Sequence, residues 1–420
     1  MRSKRRDVSV AIQPYAYSSK PAIINLMIVT ALIFLLILSV LVLIHEAGHY
    51  FVAKKFGIKV EEFGFGFPLT PPLWQKKKGE TLYSFYPVLI GGFVKLYGED
   101  DAGGGRIAAP KDSKKKHDPD ADRAFFSRSI WQRTAVIIAG VLMNVLLAAV
   151  IYYIFLAMSG FKTELPLIGK HNFFGANQTV KTQVIISDIS KDSPAENAGL
   201  KPFSRVTAIN GKPVNEIETF SKTIKENSGK PITITWKEEQ TGKTGTATVT
   251  PRVNPPKGQG ALGVAFFPVQ TVTLAYDTPV QKALSGFVHP TNLMAYNFNV
   301  LGQLIGVSVR EKTVEPVSQG VSGPVGIYSV VGQIVDMPDA KERFLQLLNL
   351  AGLLSISLAF FNVLPIPGLD GGRLFFIIIE AVIGRKVNPK IEGYFHAVGM
   401  IILIGLLLLV TIKDVTQLFK

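Results

Sequence analysis

Four stretches of this chain run apolar for too long, and with too little polar alternation, to be water-facing elements, and each is long enough to cross a bilayer. The first, residues 23–44, carries no charge and only Asn25, Thr30 and Ser39 as polar residues. Apolar character resumes at Tyr50-Phe51-Val52-Ala53, and Lys54-Lys55 then supply an interfacial anchor, so the pattern predicts a spanning helix over 23–56. The others are expected over 134–158, over 344–364 within a segment 344–384, and over 396–412 within a segment 391–413. Between the first two, 57–133 begins as strands and turns at Phe63-Gly64-Phe65-Gly66-Phe67-Pro68, Thr81-Leu82-Tyr83-Ser84-Phe85-Tyr86 and Gly91-Gly92-Phe93-Val94-Lys95-Leu96-Tyr97. That apolar and interrupted pattern predicts a membrane-associated β-hairpin or a small sheet at the membrane surface. Residues 98–122 follow as a polar loop, with Gly103-Gly104-Gly105 and a lysine run.

Residues 182–266 change character: period-two stretches such as Ile232-Thr233-Ile234-Thr235-Trp236 alternate with turns, and Ser193-Pro194-Ala195-Glu196 starts a capped short helix. This predicts an inserted soluble α+β domain. A juxtamembrane helix and a glycine-rich loop are expected over 280–343, and residues 1–22 read as a tail. The expected fold class is thus a polytopic α-helical membrane protein of about four transmembrane helices.

Charge refines that picture. Net charge is +14, but 15 of the Lys and Arg lie between Lys54 and Arg133, which marks a cytoplasmic loop beside the lipid bilayer. No aromatic and basic interleaving suggests nucleic acid as a partner. With no cysteine, any metal has to be held by His and carboxylate.

The candidate chemistry lies at the end of the first apolar run, in His45-Glu46-Ala47-Gly48-His49. On a helix the two histidines stand one turn apart on one face, where both can reach one Zn2+, and Glu46 is placed to take a proton from an activated water. A chance match in a chain with this many histidines is expected about 0.003 times, so chance does not explain it. Counting back from Lys54, His45 is about 14 Å deep at 1.5 Å per residue. A signal peptide is the alternative for this segment, but the run is too long and no small-residue cleavage site follows.

A second informative stretch is Phe361-Asn362-Val363-Leu364-Pro365-Ile366-Pro367-Gly368-Leu369-Asp370-Gly371-Gly372. Two prolines and a glycine break the third span, leaving Asp370 in non-helical backbone between apolar segments. Pairing with Arg373, a helix cap and service as the third metal ligand are all open to it. In the second span Gly140 and Asn144, four residues apart, read either as helix-packing glue or as part of a site.

Together these features resemble the site-2 protease family, membrane-embedded zinc proteases whose bacterial members cleave anti-sigma factors. The resemblance rests on His45 to His49, on the N-x-x-P-x-P-x-L-D-G pattern from Asn362 to Gly371, and on the inserted domain. Within that domain, Ala198-Gly199-Leu200-Lys201-Pro202 and Arg205-Val206-Thr207-Ala208-Ile209-Asn210-Gly211-Lys212-Pro213-Val214 are similar to PDZ domains of bacterial membrane-associated proteases. The resemblance implies Zn2+ held by His45, His49 and Asp370, with Glu46 as general base. It implies substrate contacts at Asn144 and Asn362, and at Gly91, Gly92 and Phe93 in a hairpin that presents the substrate as a strand. It further implies single-span membrane protein substrates already cut by another protease, a bacterial inner membrane location, and a PDZ-like domain on the outer side. The rival classes are an intramembrane metal-ion transporter and a non-catalytic PDZ scaffold.

Overall fold

A computed structural model describes residues 20–99, 120–202, 204–214, 217–238, 244–256, 258–385 and 387–418. Residues 1–19 of the tail expected over 1–22 and the core of the loop at 100–119 lie outside the described residues, and 20–22 are helical. The chain forms two compact units, one of Met1–Ile151 with Lys312–Lys420 and one of Tyr152–Glu311.

In the first unit, helix α1 (Lys20–Lys55) stops where its last backbone carbonyls are closed by Gly57, at φ +69°, and by the Ile58 amide on Ala53 O. Strands β1 (Val60–Phe67), β2 (Trp74–Lys78), β3 (Thr81–Phe85) and β4 (Val88–Leu96) then form one sheet in the order β2-β3-β1-β4. β2 and β3 form an antiparallel hairpin, and the segment as a whole is the small sheet that was the other expectation. β3 and β4 are consecutive but unpaired, because β1 lies between them, parallel to β3 and antiparallel to β4. Pro87 at the junction has no amide to give a ladder, and the Tyr86 amide goes to Phe65 O instead. Gly64 opens the space that draws β4 against β1: a Cβ there would lie 2.3 Å from the Phe93 ring. The sheet lies on α1, where Ser39 Oγ donates to Leu89 O at 2.9 Å.

Helix α2 (Ile130–Met158) follows and leads into the second unit. That unit holds β5 (Lys162–Leu167), β6 (Asn177–Ile189), α3 (Pro194–Asn197), β7 (Ser204–Ile209), β8 (Lys212–Pro213), α4 (Ile217–Glu226), β9 (Ile232–Glu238), β10 (Thr244–Val249), β11 (Val264–Ala275) and α5 (Pro279–Glu311). The strands run in the order β10-β9-β7-β6-β11-β5, with β8 on β7. The β6–β11 ladder continues from Ile189↔Val264 to Asn177↔Ala275, and β5 adds to its far end. The expected limits 182 and 266 therefore cut a continuous ladder, since nothing in the local alternation marks where an extended arm leaves the domain core.

The chain returns to the first unit through α6 (Glu315–Gly320), α7 (Pro324–Val335), α8 (Ala340–Val363), α9 (Asp370–Ile383) and α10 (Pro389–Leu418). The glycine-rich loop expected near 320–327 is shorter than anticipated, because α7 starts within it. The Gly323 and Gly326 amides both donate to Asp414 Oδ2 at 2.8 Å, so α10 supplies the cap that lets the helix begin. Asp370 also departs from expectation: it is the first residue of α9 rather than part of irregular backbone. Among the described residues, four helices, Asn25–Lys55, Ile130–Met158, Ala340–Val363 and Ile391–Thr416, are long and apolar enough to cross a membrane, as a polytopic helical membrane protein requires. A core of Ala53, Ile58, Val60, Leu96, Phe125, Val136, Ile137 and Ile377 packs α1, the sheet, α2 and α9 together beneath the histidines.

Candidate metal centre

Close helix approach builds the first half of the site. At Gly48 an added Cβ would lie 2.4 Å from Ala139 O, so only glycine lets α1 and α2 come this near. Gly140 faces the imidazoles directly: a Cβ there would lie 2.4 Å from His49 Nε2 and 2.8 Å from His45 Cε1. The space that a side chain would fill on α2 is the space the rings occupy. His49 Nδ1–H donates to Val136 O at 2.8 Å, which fixes the tautomer and leaves the Nε2 lone pair facing inward.

The second half arrives from the far end of the sequence. After α8 the chain cannot stay helical through Pro365 and Pro367, and it doubles back so tightly that a Cβ on Gly371 would be 2.0 Å from Leu364 O. A Cβ on Gly372 would be 2.6 Å from Ile366 O. The pair of glycines is thus what brings the first turn of α9, with Asp370, back to the histidines. Asp370 Oδ2 lies 2.9 Å from His45 Nε2 and 3.1 Å from His49 Nε2, and the two Nε2 atoms are 3.1 Å apart.

These donors fit zinc. Tetrahedral ligands at about 2.0–2.1 Å from Zn2+ stand about 3.3 Å from one another, close to the spacing seen, and two His with one carboxylate leave a position open. A buried orphan atom supports the same assignment. For His45 to offer Nε2, its Nδ1 must carry the proton, and the neighbour there is the Asn144 amide at 3.3 Å. Asn144 is fully buried and its Oδ1 has no partner in the current amide orientation. Turning that amide over brings Oδ1 onto Nδ1–H. Among the described residues, this is where three ligand-type side chains converge, all within 4.8 Å of one another.

The remaining residues singled out from sequence are placed unequally. Asn362 Nδ2 lies 3.3 Å from His45 Nε2, and Ser355 Oγ donates to Asn144 O at 2.8 Å, so both amides belong to the surroundings of His45. Gly92 faces α1, with a Cβ position 3.6 Å from Glu46 Cγ. Gly91, at φ +89°, has open space around its Cβ position, and the Phe93 ring packs over Gly64 and Tyr86 on the opposite face of the sheet. Neither Gly91 nor Phe93 meets the histidines.

Sequence reasoning missed the ion pairs that hold α9. Arg133, buried on α2, reaches Glu380 through Nη1 at 2.9 Å and Nη2 at 2.6 Å, and Arg373 pairs with Glu99 just beyond β4 rather than with Asp370. A lone glutamate inside Phe375-Phe376-Ile377-Ile378-Ile379-Glu380 was the available signal. A charge in so apolar a run needs a partner.

The model of Peptidase family M50 matches residues 33–406. A protein of Clostridium perfringens with a zinc metalloprotease name is 32% identical over 381 residues, covering 91% of this chain and 97% of its own length. The regulator of sigma-W protease RasP of Bacillus subtilis is 27% identical over 457 residues, covering 93% of this chain and 99% of its own. A solved PDZ domain from Listeria monocytogenes, 21% identical, covers 20% of this chain and 85% of its own, with a TM-score of 0.18, too low to carry an argument.

Proposed function

The chain belongs to peptidase family M50, and from that premise we propose how its residues divide the work of an intramembrane zinc metalloprotease in regulated intramembrane proteolysis. The protein is a multi-pass membrane protein, and its substrates are membrane proteins.

His45, His49 and Asp370 would hold the zinc; the convergence of their ligand atoms within 4.8 Å is the observation that carries this assignment. Bound zinc supplies a Lewis acid that polarises a peptide carbonyl and lowers the pKa of water toward about 7. Glu46, next to the first ligand and facing Gly92, takes the proton of the attacking water at its carboxylate and passes it to the departing amide nitrogen. Val136 O and the Asn144 amide orient the two imidazoles, and Asn362 closes the other side of His45. A substrate helix has its amides satisfied internally, so it must unwind before attack. Among the described residues β4 is an edge strand, beside Glu46, and its outer side offers a ladder to the unwound segment in place of the lost bonds. Gly92 adds no side chain between that strand and the carboxylate.

The β-rich part of the second unit is read as a PDZ-like domain. The pattern from Ala198 to Val214, with α4 packed on its strands, supports peptide capture there. The basic residues from Lys54 to Arg133 support a cytoplasmic location for that segment in a bacterial inner membrane, with the inserted domain on the outer side. In that place the domain would favour single-span substrates already trimmed by another protease. Changing Glu46→Gln tests the central assignment: cleavage of a tagged single-span substrate should be abolished while zinc content stays near one per chain. Undiminished turnover would refute the role.

A further inference from the structure

The last apolar helix carries one imidazole that the mechanism leaves unused. His396 on α10 is 4% exposed, in a segment where an ionisable side chain needs a reason. Its Nδ1 accepts a hydrogen bond from the Gly368 amide at 2.9 Å. Gly368, two residues before Asp370, is in the left-handed region at φ +89°. Its amide would otherwise be an unpaired donor packed against α10 near Met400 and Leu403, a costly group to leave unmade. The same helix touches the turn twice more. A Cβ on Gly372 would lie 3.0 Å from His396 Cε1, and one on Gly399 would lie 1.9 Å from Pro367 Cβ. α10 therefore grips the chain on both sides of Asp370, and the grip includes a single directed polar contact. With Nδ1 accepting, the ring proton is on Nε2, which is buried and has no hydrogen-bond partner. The Gly368 contact is therefore the ring's only hydrogen bond among the described residues.

We propose that His396 is a positioning residue for the metal centre: through Gly368 N–H it fixes the Pro365–Gly372 turn so that the Asp370 carboxylate meets His45 and His49. The inference rests on Asp370 being the third ligand. It predicts that the acceptor at the Nδ1 position matters more than the bulk of the ring.

The test uses the full-length protein in detergent with three variants. His396→Phe keeps the ring volume without an acceptor, His396→Asn keeps an acceptor near the Nδ1 position, and His396→Gln moves it outward. The readouts are the rate of zinc loss to a chelator, the visible spectrum of the Co2+-loaded protein, substrate cleavage and thermal unfolding. His396→Phe and His396→Gln are expected to lose zinc about 10–100-fold faster, the range for changes behind a metal ligand, with an altered Co2+ spectrum. Their kcat should fall with KM little changed, and the melting temperature should drop by only a few degrees, as the loss of one amide's partner implies. His396→Asn should restore most of the zinc retention and the spectrum. If His396→Phe holds zinc like the unaltered protein, or if His396→Asn falls as far as His396→Phe, the proposal is overturned. Failure of the underlying reading would look different: Asp370→Ala would then leave zinc retention unchanged in the otherwise unaltered protein.

Discussion

Replacing Gly140 by Ala adds one methyl group where two imidazoles already stand. The new Cβ would be 2.4 Å from His49 Nε2, 2.7 Å from His49 Cε1 and 2.8 Å from His45 Cε1. Ordinary carbon contacts are about 3.5–4.0 Å, so the rings or the helices must move by about 1 Å. His49 cannot retreat without breaking its bond to Val136 O, and α2 cannot back away without opening the Gly48 contact. Zinc sites tolerate ligand displacements of about 0.2 Å, so the geometry is lost well before the clash is relieved. Overpacking costs about 1–3 kcal/mol, while Ala in place of Gly inside a helix returns about 1 kcal/mol. Folding should therefore survive while the site does not. Purified Gly140→Ala is expected to carry little zinc and to cleave a tagged single-span substrate at least about 100-fold more slowly, with a melting temperature close to that of the unaltered protein. Gly302→Ala, on α5 where a Cβ meets nothing, is the control and should be neutral or slightly stabilising. Stoichiometric zinc and cleavage within about twofold of the unaltered protein in Gly140→Ala would refute the claim that this glycine makes room for the ligands.

Asn144→Leu should weaken zinc binding about 10–100-fold by removing the acceptor for His45 Nδ1–H, whereas Asn144→Asp keeps an acceptor and should retain the metal; competition with a chelator distinguishes them. Arg133→Met leaves the half-buried Glu380 without its guanidinium partner and should cost up to about 3 kcal/mol, while the double change with Glu380→Leu should cost less, as thermal unfolding in detergent would report. His289, buried on α5 against Tyr276, is pushed down to about 4 by burial. Its unfolded value is about 6.5, so between those values the unfolded state binds the extra proton. The second unit should thus lose stability as pH falls from about 6.5 to about 4, by up to about 3 kcal/mol, and the loss should level off below that. His289→Phe should flatten this part of the profile in calorimetry.

Run length and local spacing were enough to read the four spanning helices, the one-face placement of His45 and His49, and the break after Leu364, because each depends only on neighbours within a turn or two. The strands near 63–97 were visible for the same reason, but their order was not. That order follows from Pro87 having no amide to give and from Gly64 admitting Phe93, which are meetings between segments. The start of α7 escaped because its cap is Asp414, 88 residues later, with the Gly326 amide on its carboxylate. Asp370 could be suspected from its setting, yet its partners were undecided until Gly371 and Gly372 were seen to fold the chain back over Leu364 and Ile366.

What the sequence determined by itself was a set of elements and the ligand types they carry, since helix and strand periodicity are local properties of the backbone. Only the tertiary structure decided that an aspartate 325 residues from His45 faces the same point, that Gly140 leaves the volume for two rings, and that Arg133 and His396 hold the elements in place. Those outcomes depend on close packing between distant segments, where a single methyl or one unpaired amide changes the answer, and no local pattern in the chain records them.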